Sequence, residues 1–93
     1  MKKLIEEVDE GKLIEEVDEG LIKLMGQRVT FFCMNYIYTG KLVGVNDKDV
    51  MLTEASIVYE TGPLNDGQWK EAQELPHDLF IMTNSIESYM VLK

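Results

Sequence analysis

The chain has 93 residues, of which 45% are apolar, and a net charge of −8 from 9 basic and 17 acidic side chains. This length allows one domain with a modest core, of the size often stabilised by a ligand, a metal or association. A single cysteine excludes an intrachain disulfide framework. The acidic balance, with no Lys/Arg cluster anywhere, argues against tight non-specific binding to a phosphate backbone. It leaves room for a small local nucleic-acid site.

The start, MKKLIEEVDE, has two lysines but no apolar run before its acids, so it does not read as a signal peptide. No stretch is long and apolar enough to span a bilayer, and a cytoplasmic location is the expectation. Lys3–Gly11 (KLIEEVDEG) is repeated by Lys12–Gly20 at all nine positions. Two short copies are too few for a solenoid and point to a duplication, natural or introduced in assembly. At about 100° per residue, nine residues turn a helix by roughly half a revolution past whole turns. Leu13, Ile14, Val17, Leu21, Leu24 and Met25 then share one face, which predicts an amphipathic helix over 12–25 that Gly26 stops. Leu4, Ile5 and Val8 fall on the opposite face, so residues 1–11 either fray or pack on a neighbouring molecule, fraying being the simpler outcome. The domain proper is 12–93.

From Arg28 the pattern becomes β-like. Strands are predicted at Arg28–Asn35, Tyr36–Asn46, Val50–Glu60, Asp78–Thr83 and Ile86–Leu92. Gly40 or Gly44 bends the second strand, because a glycine inside an apolar strand marks a sharp bend in a strongly curved sheet. Asn46-Asp47-Lys48-Asp49 and Asn84-Ser85 are polar turns. Residues 61–77, with two prolines and two glycines, form an excursion with a short helical piece near Trp69–Leu75. The fold class this predicts is mainly β: an N-terminal α-helix followed by a strongly bent five-stranded antiparallel barrel of SH3 type. The final hairpin, LFIMTNSIESYMVL, is apolar on both faces, and in so small a domain a second subunit is the simplest cover.

Other candidate sites have plainer readings. Cys33, within FFCM, reads as a buried thiol in a reduced compartment. His77, between Pro76 and Asp78, lacks the partners of a metal or catalytic set and reads as a solvated loop residue. Glu6/Glu7 and Glu15/Glu16 fit an exposed helix face. Tyr36, Tyr38, Tyr59 and Tyr89 read mainly as packing residues. Trp69, within the excursion, either packs that loop on its own barrel or anchors a partner. No glycine-rich phosphate loop or nucleophile–base arrangement is present, so no enzymatic activity and no cofactor are expected.

Taken in order, these segments resemble the Sm/LSm/Hfq family, and within it the small bacterial or phage-type members. LIKLMGQRVTFF looks like the helix end, glycine and first strand. YTGKLVGVND resembles the first Sm motif, with Gly40, Leu42, Val45 and Asn46 in its places, followed by Leu52 and Ala55. IMTNSIESYMVL resembles the second, with Asn84 and Ile86 around its turn. The resemblance covers residues 21–60 and 79–92. It implies a closed homo-oligomeric ring of roughly five to seven subunits, in which the fourth strand of one copy pairs with the fifth of the next. Phe80, Met82, Ile86, Tyr89 and Val91 would then form the subunit interface. It also implies contact with single-stranded RNA at the two inner turns, through Asn46, Asp47, Lys48, Thr83 and Asn84. Those turns lack the aromatic stacker and the basic partner that RNA-binding relatives carry, and Lys48 is the one cation left there. Two functions follow as expectations: a non-catalytic RNA-associated ring, or a structural or protein-interaction ring that has lost RNA binding.

Overall fold

A computed structural model of the chain describes residues 2–3 and 20–91. The architecture is a single antiparallel sheet of seven strands: β1 (Lys2–Lys3), β2 (Arg28–Cys33), β3 (Ile37–Val45), β4 (Asp49–Glu60), β5 (Glu71–Glu74), β6 (Leu79–Met82) and β7 (Ile86–Val91). The order is β5-β4-β3-β2-β7, with β1 beside the end of β3 and β6 beside β4. The five strands expected after Arg28 are all present, each within a few residues of its predicted bounds.

Three expectations need correction. The N-terminal α-helix is absent from the described residues: Gly20–Leu24 form a 3-10 turn, and the stretch 12–19 of the expected helix lies outside the described residues. Gly20 adopts φ 68° and Gly26 φ 89°, left-handed values that no α-helix can pass through. Of the expected apolar face, Leu21, Leu24 and Met25 pack on the core, joined by Ile22, which that face did not include, while Leu13, Ile14 and Val17 lie outside the described residues. The strongly bent five-stranded barrel is also overturned, because the sheet is open. Strands β6 and β7 are joined by a three-residue 3-10 turn (Thr83–Ser85), yet among the described residues β6 pairs only with β4 and β7 only with β2. The sheet curls until its ends are one turn apart and stays open there. Lastly, the helical piece near Trp69–Leu75 is the strand β5, held by the edge of β4 from Ser56 to Glu60. Tertiary pairing overrides the local helical pattern there.

Curvature comes from two bulges in the β3–β4 pair. Between Thr39/Ser56 and Lys41/Thr53 the extra residue lies on β4; between Leu42/Leu52 and Gly44/Met51 it lies on β3. Each extra residue reverses the in-out alternation. Val50 and Leu52 are therefore followed inward by Ala55, and Leu42 by Val45. At the first bulge Glu54 has φ 50°, and a Cβ on Gly40 would lie 2.9 Å from the Thr53 carbonyl oxygen. Val29, Phe31 and Ile81 complete the core. Thr30 and Thr39, also buried, face each other across β2 and β3: the Thr30 hydroxyl donates to Thr39 Oγ1 (3.1 Å), which donates to the Val29 carbonyl (3.1 Å).

Glu54 is exposed and left-handed, so its side chain adds backbone strain without core packing. Glu54→Gly should raise the unfolding free energy by roughly 0.5–1 kcal/mol, the relief of a non-glycine residue at positive φ less the added freedom of the unfolded chain. The urea midpoint reads this out, and a fall would show that the carboxylate makes a compensating contact.

Candidate functional site

Two polar turns meet at the end of the sheet where β4 begins. Asn46 shapes the first: its Oδ1 accepts from the backbone N–H of Lys48 (2.7 Å) and of Asp49 (2.8 Å), and its own N–H donates to the Asp49 carbonyl (3.0 Å). The second turn is the 3-10 turn after β6. The Thr83 N–H donates to the Lys48 carbonyl (2.8 Å), and Ser85 Oγ donates to the Met82 carbonyl (2.8 Å). The structure thus brings the two predicted turns together. Asp47, Lys48 and Asn84 are exposed, Thr83 half-buried.

The five expected site residues divide by role. The Asn46 amide oxygen is already occupied twice by its own turn, so this residue builds the loop before it can serve a ligand. Replacing it by alanine should cost about 1 kcal/mol for the two lost acceptor contacts, whereas Asn46→Asp keeps an acceptor there and should cost less. Thermal unfolding of the two variants checks this, and equal losses would contradict it. Lys48, Asp47 and Asn84 are the side chains open to a ligand. Sequence reasoning missed Asp49. Its Oδ1 and the Thr83 Oγ1 are both buried without a hydrogen-bond partner among the described residues, on adjoining segments. An acidic residue opening an apolar strand was the available signal.

The expected interface residues lie along the open ends of the sheet. Phe80 (58% exposed) and Met82 (57%) project from the outer face of β6, while Ile81 between them is buried. Tyr89 and Val91 pair with Phe31 and Val29, so they share the core-facing side of β7. They remain 43% and 41% exposed, because β7 ends the sheet and no further strand covers them. Tyr89 meets Phe31 edge-on at 6.0 Å. Ile86 is half-buried and packs on the core.

A second surface was not read from the sequence. The β2–β3 turn carries Met34 and Tyr36, and Tyr59 stands at the end of β4; all three are exposed. Around them lie two adjoining recesses of about 340 and 270 Å³. The sequence hid this because Tyr59 reaches the turn only through β3–β4 pairing, Ile37 being opposite Val58. Cys33 borders both recesses. Burial pushes its thiol above the ordinary range, side-chain hydrogen bonding with Ser85 pulls it back, and the charge of Glu87 adds to the rise. A thiol so placed stays protonated and unreactive at neutral pH. Tyr38 is likewise raised, by burial first and then by Cys33 and Tyr36, so it remains a neutral phenol.

Trp69 is half-buried within the excursion, and His77 is exposed. Among the described residues, no group of three or more His, Cys, Asp or Glu side chains could hold a metal ion. No described helix is long and apolar enough to cross a membrane. No family model matches the chain, and no curated protein matches it.

Proposed function

We propose that this chain is a non-catalytic, Sm-like building block of a cytoplasmic homo-oligomeric ring. One observation carries the reading: β6 and β7 each keep one edge unpaired among the described residues, and both present large apolar side chains. Unpaired, apolar edges are a liability in a monomer and a ready interface in an assembly. Joining β6 of one copy to β7 of the next extends the sheet across the contact. The buried Ile81 side of one copy then continues over Tyr89 and Val91 of the other. The contact is heterologous, so it propagates until it closes, and the family resemblance implies roughly five to seven copies. Light scattering after gel filtration tests this. A single species of several chain masses is expected, and a monomer at micromolar concentration would remove the proposal.

A second reading places single-stranded RNA at the two polar turns. It is favoured by exposed Lys48, Asp47 and Asn84 converging through the Thr83–Lys48 bond. In a ring these turns would repeat around one opening, multiplying a weak single contact. Binding of short uridine- or adenosine-rich RNA should be strongest at low salt, where charge attraction is least screened. Lys48→Ala should then weaken it several-fold by removing the one cation at the turns. Absence of binding at low salt would leave the structural or protein-interaction ring as the function.

A further inference from the structure

The groove at the β2–β3 turn is lined by aromatic and uncharged side chains. Three tyrosines border it. Tyr36 borders both recesses; Tyr38 lies 6.1 Å from it, ring centre to ring centre, at 51°. Tyr59 lines the larger recess, and its hydroxyl donates to Gln73 Oε1 (2.9 Å), which ties the ring to β5. Among the described residues no lysine or arginine lines either recess. Glu87 lies near enough for its charge to act on Cys33, which lines both recesses.

This combination selects among ligands. The faces of aromatic rings attract positive charge, and an acidic surface draws cations while repelling phosphates. A guanidinium is planar, stacks on tyrosine, and sheds water more readily than an ammonium. The exposed Asn35 amide at the rim offers an oxygen to its N–H groups. We propose that this groove is a docking site for the arginine side chain of a basic partner peptide, stacked against Tyr36 with Tyr38 and Tyr59 beside it. The site lies apart from the exposed Phe80 and Met82 of β6, and Ser85 of the second polar turn borders its smaller recess.

The test is a nuclear magnetic resonance titration of the full chain with a capped Gly-Gly-Arg-Gly-Gly peptide and its citrulline counterpart, which keeps the shape and removes the charge. Saturable shifts confined to residues 33–38, 58–59 and 85 are expected for the arginine peptide, with affinity at least about threefold weaker for citrulline, the loss of one exposed cation–aromatic contact. Tyr36→Leu should weaken arginine binding by a similar factor, and Tyr36→Phe, which keeps the ring, should restore it. Both side chains suit this exposed position, and the unbound spectrum checks folding. Equal response to citrulline, shifts spread over the acidic surface and indifferent to Tyr36→Leu, or no response would each overturn the proposal. So would a short oligoadenylate that shifts the same amides more strongly than the peptide.

Discussion

Gly40→Ala is expected to lower the unfolding free energy by about 3 kcal/mol, the upper range for forcing a methyl group into a packed interior. The added Cβ would sit 2.9 Å from the Thr53 carbonyl oxygen, 3.1 Å from the Ala55 Cα and 3.2 Å from the Leu52 Cβ. Two of those neighbours are backbone atoms of β4, at the bulge that lets the sheet curl, so relief requires moving a strand rather than rotating a side chain. Leu52 and Ala55 are core residues, and displacing them loosens packing against Leu42 and Val50. Gly67→Ala is the control: nothing lies within 4 Å of its Cβ position, and stability should change by no more than about 0.5 kcal/mol. Urea unfolding followed by Trp69 fluorescence compares them. Equal midpoints would mean that β4 shifts freely and that the bulge does not constrain the curvature.

If the chain forms the proposed ring, Phe80→Glu combined with Met82→Glu is expected to give monomers without unfolding the chain. Both side chains are more than half exposed on the outer face of β6, so a single copy tolerates the charges. At a strand-to-strand junction between copies the same carboxylates would be desolvated without partners, at a cost of several kcal/mol per contact. Leu64→Glu, a similarly exposed apolar position in the excursion, should leave the mass unchanged. Light scattering reads the mass, and circular dichroism reads the retained sheet. A double variant that keeps the wild-type mass would place the interface elsewhere and remove β6 from it.

The strands were legible because β-branched and aromatic runs between polar turns describe a pleated surface directly, and the bend expected at Gly40 or Gly44 falls where the β3–β4 register shifts. The misreadings have one cause. Residues 20–25 and Trp69–Leu75 were read from spacing along the chain, whereas the structure is decided across it: Gly20 takes a left-handed value at the start of a short 3-10 turn, and the β4 edge recruits Glu71–Glu74 as a strand. The candidate site follows the same rule. Its loops were visible as Asn-Asp and Asn-Ser turns, but Thr83–Lys48 contact, the buried Asp49 oxygen and the approach of Tyr59 to Tyr36 all depend on pairing.

The pairing of β2 with β7 also sets a schedule for folding. Val29 bonds opposite Val91 and Phe32 opposite Ser88, so one of the earliest strands to be synthesised after the N-terminal segment waits for one of the last. Until β7 leaves the ribosome, β2 presents an open edge beside Phe31 and Val29, and a contact so distant in sequence forms slowly. During that interval the chain is most exposed to wrong pairing, including with the β2 edge of a neighbouring nascent copy. Release of the last strand is therefore the step at which a chaperone would have the most to protect.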